Sequence, residues 1–167
     1  MSTTPEVLRA ARGLREALHR WEPTRLDSNP ESMLIETTVV LWWLRALDEL
    51  LTETSPDYSS ELAVQAQMHD LLAGLRHARN RLGHRFARAI DVSHRGLAYP
   101  KVYPMVYFEL FWIDAAQLDQ FGGRSAITPR QLDGEAAYTR AVAGQLVRVT
   151  VPTAVRWMLD RPELKAP

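Results

Sequence analysis

The chain has 167 residues and no net charge at neutral pH, and apolar residues make up 46% of it. It contains no cysteine, no run of eighteen uninterrupted apolar residues and no apolar core of a secretory signal near its start. These properties argue against disulfides, thiolate metal sites and membrane-spanning segments, and they predict one cytoplasmic domain over residues 1–167.

Apolar residues repeat with helical spacing in the first third of the chain. The first predicted helix runs from about residue 4 to residue 21 and ends before Pro23. The second begins at Asn29, a capping residue that is followed by a proline, and it ends at the loop of residues 54–57. The sequence therefore predicts two long helices before residue 60.

A third helix is predicted over about residues 60 to 90, with Ser59 or Ser60 as its cap. An aromatic stretch that contains two prolines follows this helix. We expect residues 96–113 to form either a short hairpin or an irregular cover over the helices.

The last predicted helix begins at Asp133 and ends near Leu159, with Pro152 kinking or dividing it. Short loops separate the long predicted helices along the chain. The fold class expected from this pattern is all-α, an up-and-down bundle of four to five helices.

The third predicted helix carries a segment that is unusually basic. Between Leu71 and Ile90 the chain has no acidic residue and five arginines, namely Arg76, Arg79, Arg81, Arg85 and Arg88. At about 100° per residue, Asn80 and His84 share one helix face that points away from the apolar residues. Three interpretations of this face are open: a solvated surface, a functional site, or a surface that meets a second copy of the protein about a two-fold axis.

The sequence RNRLGH, Arg79 to His84, resembles the motif of the HEPN superfamily. That motif has arginine, a polar residue that is often asparagine, three variable positions and histidine, and it lies on a helix of an α-helical bundle. The segment AAYTRAVAGQLVRVTVPTAVRWML also resembles the closing helix of actinobacterial proteins of this kind. Many members are metal-independent ribonucleases that act as homodimers with their motifs facing each other, and others only bind.

The resemblance implies catalytic roles for Arg79, Asn80 and His84, and RNA contacts for Arg76, Arg81, Arg85 and Arg88. It implies a homodimeric endoribonuclease without a cofactor, a toxin or phage-defence effector whose partners are RNA and a cognate antitoxin or nucleotidyltransferase. Two alternatives remain open. One is a HEPN-like module that binds RNA or protein without cleaving, and the other is a helical interaction protein whose arginines pair with acids such as Glu49 and Glu53.

Other constellations of polar residues are weaker candidates for a site. His69, His77 and His84 lack the carboxylate–histidine spacing of a di-iron bundle, so we expect no metal site. Gly122-Gly123 lacks the lysine and hydroxyl residue that follow in a phosphate-binding loop.

Three tryptophans and two acids also stand near apolar stripes. We expect Trp42, Trp43 and Trp112 to belong to the core, with stacking on a nucleobase as the alternative. Glu36 and Glu109 are expected to be paired structural residues rather than catalysts.

Overall fold

The computed structural model describes residues 4–24, 29–82, 89–93, 109–121 and 129–164. These ranges form seven helices, one antiparallel strand pair and a closing 3-10 turn: α1 (Pro5–Thr24), α2 (Pro30–Thr54), α3 (Pro56–Val64), α4 (Ala66–Leu82), β1 (Ile90–Ser93), β2 (Glu109–Trp112), α5 (Ala115–Phe121), α6 (Pro129–Ala141), α7 (Val147–Leu159) and the turn Pro162–Leu164. The all-α bundle predicted from the sequence is confirmed. Within the described ranges, no helix is long and apolar enough to cross a lipid bilayer.

Helices α1 and α2 form an antiparallel pair. The Trp21 indole N–H donates to the Thr37 hydroxyl at 2.8 Å near one end of the pair. Further along, Gly13 lies directly against the Trp43 ring. Helix α7 packs on both helices and also contacts α4 and β2, while α4 packs mainly against α6. The two helix pairs are therefore joined through α7.

The start of α2 is the one predicted. The Asn29 side chain accepts a hydrogen bond from the Glu31 backbone N–H at 3.0 Å, and Pro30 occupies the first turn. A proline suits this position because the N–H that it lacks would have no partner within the helix. The same logic places the start of α3 at Pro56 after Ser55, so the prediction of Ser59 or Ser60 as the cap was wrong.

The single helix predicted over residues 60 to 90 was also wrong. The helix is interrupted at Gln65, between α3 and α4. The Gln65 side-chain oxygen accepts a hydrogen bond from the Trp157 indole N–H at 2.8 Å. Beyond α4, Ile90 belongs to β1, where it pairs with Trp112 and is buried. Within residues 96–113, where a hairpin or an irregular cover was predicted, the structure describes β2. Its partner strand β1 lies before this region, at Ile90–Ser93.

The C-terminal helix is divided, but not at Pro152, which lies inside α7. The break falls at residues 142–146, where Gly144 has a φ of +70°, a conformation that glycine adopts without strain. Its N–H donates to the Trp112 carbonyl at 2.9 Å, and the Trp112 N–H donates to the Gln145 carbonyl at 3.0 Å. The backbone thus leaves the helix to pair with β2. Helix α6 begins at Pro129, so Asp133 lies within it and is not its cap.

Candidate functional site

The structure describes part of the predicted catalytic and RNA-binding set. Arg76, Arg79 and Asn80 lie on the C-terminal half of α4, and Arg81 belongs to its last turn. The remaining predicted site residues, His84, Arg85 and Arg88, lie outside the described residues. The described part of the site is therefore built from α4 and its neighbours.

Helix α4 is covered on more sides than its apolar pattern indicates. Asn80 is exposed and the two arginines are half-buried, whereas His77 is buried against α6. Glycine permits this close helix contact. A β-carbon at position 74 would lie 2.8 Å from the Val142 side chain and 2.9 Å from the Tyr138 Cα. The small residues Gly74 and Ala78, four positions apart, were the sequence signal for this second contact.

A buried carboxylate on α2 binds one of the arginines. The Tyr58 hydroxyl donates to Asp48 Oδ1 at 2.7 Å, and Arg76 donates to Asp48 Oδ2. Arg45 lies 3.6 Å from the same carboxylate and also pairs with Glu49. Burial, and then the nearby charge of Asp48, raises the pKa of Tyr58, which therefore stays a hydrogen-bond donor. Arg76 is thus fixed inside the protein by Asp48.

Arg79 is held in a different way, with its guanidinium at the surface. The guanidinium carbon lies 4.7 Å above the centre of the Trp42 ring, and Nη1 donates to Asn80 Oδ1 at 3.2 Å. A cation over an indole face and an amide acceptor together orient a long side chain. Arg79 and Asn80 therefore present a positioned cation and an amide on the exposed side of α4.

The tryptophan that orients Arg79 is not a core residue. Trp42 is 49% exposed and Trp43 is 38% exposed, so the prediction of a core position was wrong for both. The reason is that α2 carries apolar residues on nearly all its faces, and a sequence pattern cannot show which of them is covered. Trp112 is buried, as predicted, and its indole donates to the Thr150 hydroxyl at 2.7 Å.

A shallow cleft lies between α2 and α4, with a volume of about 20 Å³, which is roughly the space of one water molecule. Four leucines and four charged residues line it: Leu41, Leu44, Leu72, Leu75, Arg45, Asp48, Arg76 and Arg79. Burial and then the charge of Arg76 lower the pKa of Arg45, which indicates crowding of positive charge here. Three guanidinium groups around one buried carboxylate leave an excess of positive charge at this cleft.

Glu36 and Glu109 are each paired with an arginine, and the described histidines belong to no metal-binding group. Glu36 accepts from Arg20 at 3.4 Å, and Glu109 accepts from Arg148 at 2.9 Å, so both are paired as predicted. Among the residues that the structure describes, no three histidine or carboxylate side chains come together in a way that could hold a metal ion.

The geometry of the site therefore defines its chemistry as cationic, aromatic and open to solvent. Arg79 supplies the charge, Asn80 the amide and Trp42 the exposed ring. Single-stranded nucleic acids are bound by such combinations of arginine with an aromatic face. Searched against known proteins, the chain matches no family model, no curated protein and no solved structure.

Proposed function

We propose that the protein is a metal-independent endoribonuclease of the HEPN type that acts as a toxin or as a phage-defence or stress effector. The observation that carries the proposal is the placement of Arg79 at the surface, held by the Trp42 ring and the Asn80 amide. Arg79 and Asn80 open the RNRLGH sequence, and His84 follows Asn80 four residues later in the chain. The arginines that line the neighbouring cleft add positive charge beside them, which attracts a polyanion.

The proposed reaction is an internal transesterification of RNA. The ribose 2′-oxygen attacks the adjacent phosphorus as a histidine removes its proton. The bond from phosphorus to the 5′-oxygen breaks, and that oxygen receives a proton, leaving a 2′,3′-cyclic phosphate and a 5′-hydroxyl. Each chain offers one His84, so a homodimer supplies both the base and the acid.

The remaining groups act on the phosphate. The Arg79 guanidinium is permanently charged and matches two phosphate oxygens, so it stabilises the charge that builds on them. Asn80 transfers no proton and instead orients Arg79 through its amide oxygen. Arg76 already donates to Asp48, so its role is the positive potential of the cleft rather than first contact with RNA.

A second candidate function is RNA binding without cleavage. It is favoured by the surface position of Arg79, because an arginine binds phosphate without the help of an acid or a base. Both functions use Arg79, and only cleavage needs His84.

The test is incubation of the purified protein with a fluorescently labelled, mixed-sequence single-stranded RNA in excess EDTA. We expect cleavage of the RNA, no cleavage of the same DNA sequence, and a cyclic phosphate detected by mass spectrometry of the products. His84→Ala should lower the cleavage rate by about 10²- to 10⁴-fold and retain binding. Arg79→Ala should impair cleavage and binding together.

The matched control is His69→Ala, because His69 is exposed near the other end of α4. It should cleave like the parent, whereas His77 is buried and its replacement would disturb packing. Equal cleavage by His84→Ala and the parent would refute the catalytic role. Tight RNA binding without cleavage would support the second function, and activity that appears only with added zinc or manganese would refute a metal-independent mechanism.

A further inference from the structure

Helix α2 has a further apolar face between the sides that contact α1 and α4, and its largest side chains are partly exposed to solvent. We call it the α2 stripe, and it consists of Ile35, Val39, Trp42, Trp43, Ala46 and Leu50. Ile35 is 57% exposed, which is more than either tryptophan, and the other three members are half-buried. At about 100° per residue, the stripe covers an arc of about 100° whose centre lies opposite the buried residues Thr37 and Asp48. An apolar surface that continues over four helical turns is typical of a protein interface.

The apolar positions of the α2 stripe are spaced symmetrically about its centre. About the midpoint between Trp42 and Trp43, Ile35 corresponds to Leu50 and Val39 corresponds to Ala46. An interface with two-fold symmetry needs a surface that is complementary to itself. We propose that the α2 stripe is the contact surface of a homodimer in which the two α2 helices pack antiparallel, with Trp42 and Trp43 at the symmetry axis.

The charges along α2 favour the antiparallel arrangement over a parallel one. Antiparallel packing sets Glu31 level with Thr54 of the partner subunit, and Glu53 level with Ser32 of the partner subunit. Parallel packing would set each glutamate level with its own copy, and like charges in contact are destabilising. Glu36 and Glu49 do come level with each other in the antiparallel pair, but each is bound within its own chain, to Arg20 and Arg45 respectively.

The size of the α2 stripe fits the centre of an interface. Its three most exposed side chains present on the order of 300 Å² of surface. A stable interface buries roughly 800 Å² on each partner, with an apolar centre and a polar rim. The flanks of the stripe, where Arg20 of α1 and Arg79 of α4 lie, would supply that rim.

The symmetry of this dimer has a consequence for the proposed active site, and this step deepens the proposed function and rests on it. When two helices pack antiparallel, the two-fold axis is perpendicular to both, so features on one flank of α2 meet on the same side of the pair. Arg79 stacks on Trp42, which lies at the axis. Both copies of Arg79 and Asn80 would therefore flank the axis on one side, and the second subunit would complete the site.

The test measures self-association by sedimentation velocity at micromolar concentrations, without RNA. We expect the parent to be a dimer and Ile35→Glu to dissociate at least about tenfold more readily, because it places a carboxylate in an apolar contact. The matched control is Leu132→Glu, since Leu132 is 54% exposed on α6 and outside the stripe. Its dimer should be as stable as that of the parent.

The register is tested by combining Ile35→Glu with Leu50→Lys. Leu50→Lys alone should also weaken the dimer, whereas the combination should restore it, because each introduced carboxylate faces an introduced ammonium across the interface. Within one chain these positions are about 22 Å apart along the helix, so they cannot pair there. Circular dichroism checks that every variant is folded, and Leu50→Lys replaces Ile35→Glu as the test if the latter unfolds.

A monomeric parent, or equal dimer stability of the parent and both single variants, would overturn the proposed interface. Weakened single variants without recovery in the combination would overturn the antiparallel register. A dimer that leaves RNA intact would count against the ribonuclease alone, and a monomer that cleaves RNA would count against the interface alone.

Discussion

Asp48→Asn is the substitution for which the structure gives the clearest expectation. Asp48 lies on α2 and binds both the Tyr58 hydroxyl and the Arg76 guanidinium, with Arg45 nearby. Asparagine keeps the size of the side chain and an oxygen that can accept from Tyr58. It removes the negative charge that offsets two arginines, so the change isolates the electrostatic part of the contact.

The cost follows from how far these groups are shielded from water. The Asp48 side chain is 5% exposed, and the Arg45 and Arg76 side chains are 18% and 25% exposed. Removing one partner of a fully buried ion pair costs about 3–5 kcal/mol. Because both arginines are partly solvated, we expect Asp48→Asn to lower the free energy of unfolding by about 2–3 kcal/mol. For a domain of this size that loss lowers the melting temperature by roughly 5–10 °C.

The same change should strengthen the proposed RNA binding, because the cleft then carries three arginines without their buried carboxylate. Thermal melts followed by circular dichroism measure the first effect, and fluorescence anisotropy with labelled RNA at low salt measures the second. The gain in affinity should shrink as salt is added. Asp133→Asn, which removes an exposed carboxylate on α6, is the control and should change stability by about 0.5 kcal/mol or less. Equal melting temperatures for Asp48→Asn and this control would refute the structural role of Asp48.

Two further predictions concern helix contacts. Gly13→Ala should destabilise the fold by about 0.5–2 kcal/mol, because the new β-carbon would lie 2.7 Å from the Trp43 ring and this overpacking outweighs the helix propensity that alanine gains; denaturant titration would show this. The Arg140 hydrogen bond lowers the pKa of Asp70, so the folded state holds this carboxylate ionised below the ordinary value of about 3.9. Stability from the pair is present above that value and is lost as the pH falls through the lowered pKa. Asp70→Asn should therefore lose less stability than the parent between pH 6 and pH 3 in urea titrations, and an identical pH dependence would contradict this.

Features set by local sequence were predictable, and features set by distant contacts were not. The first two helices and the Asn29 cap depend on neighbours in the chain, so their pattern is visible in the sequence. The break at Gln65 involves Trp157, which is 92 residues away. The break at Gly144 likewise depends on pairing with β2, although the glycine itself was a local hint.

The candidate site divides in the same way. The outward position of Asn80 follows from helix geometry, and the structure has it exposed. The stacking of Arg79 on Trp42 and the binding of Arg76 by Asp48 depend on the spacing between α2 and α4, which no local pattern encodes. Asp48 directly follows the core residue Leu47 and shares its buried side of α2. A carboxylate in that position indicates that a cation, here Arg76, must reach it.

The position of α7 bears on how the chain folds as it is made. This helix is the most enclosed element, with Val147, Val151, Ala154, Val155 and Met158 all at 0% exposure, and it contacts α1, α2, α4 and β2. It leaves the ribosome about 7 to 27 s after α1 at ordinary rates of synthesis. Until then α1 and α2 have an uncovered apolar surface, so the nascent chain must be shielded by chaperones or remain loosely collapsed. A truncation before Val147 should accordingly yield an aggregating fragment rather than a smaller folded unit.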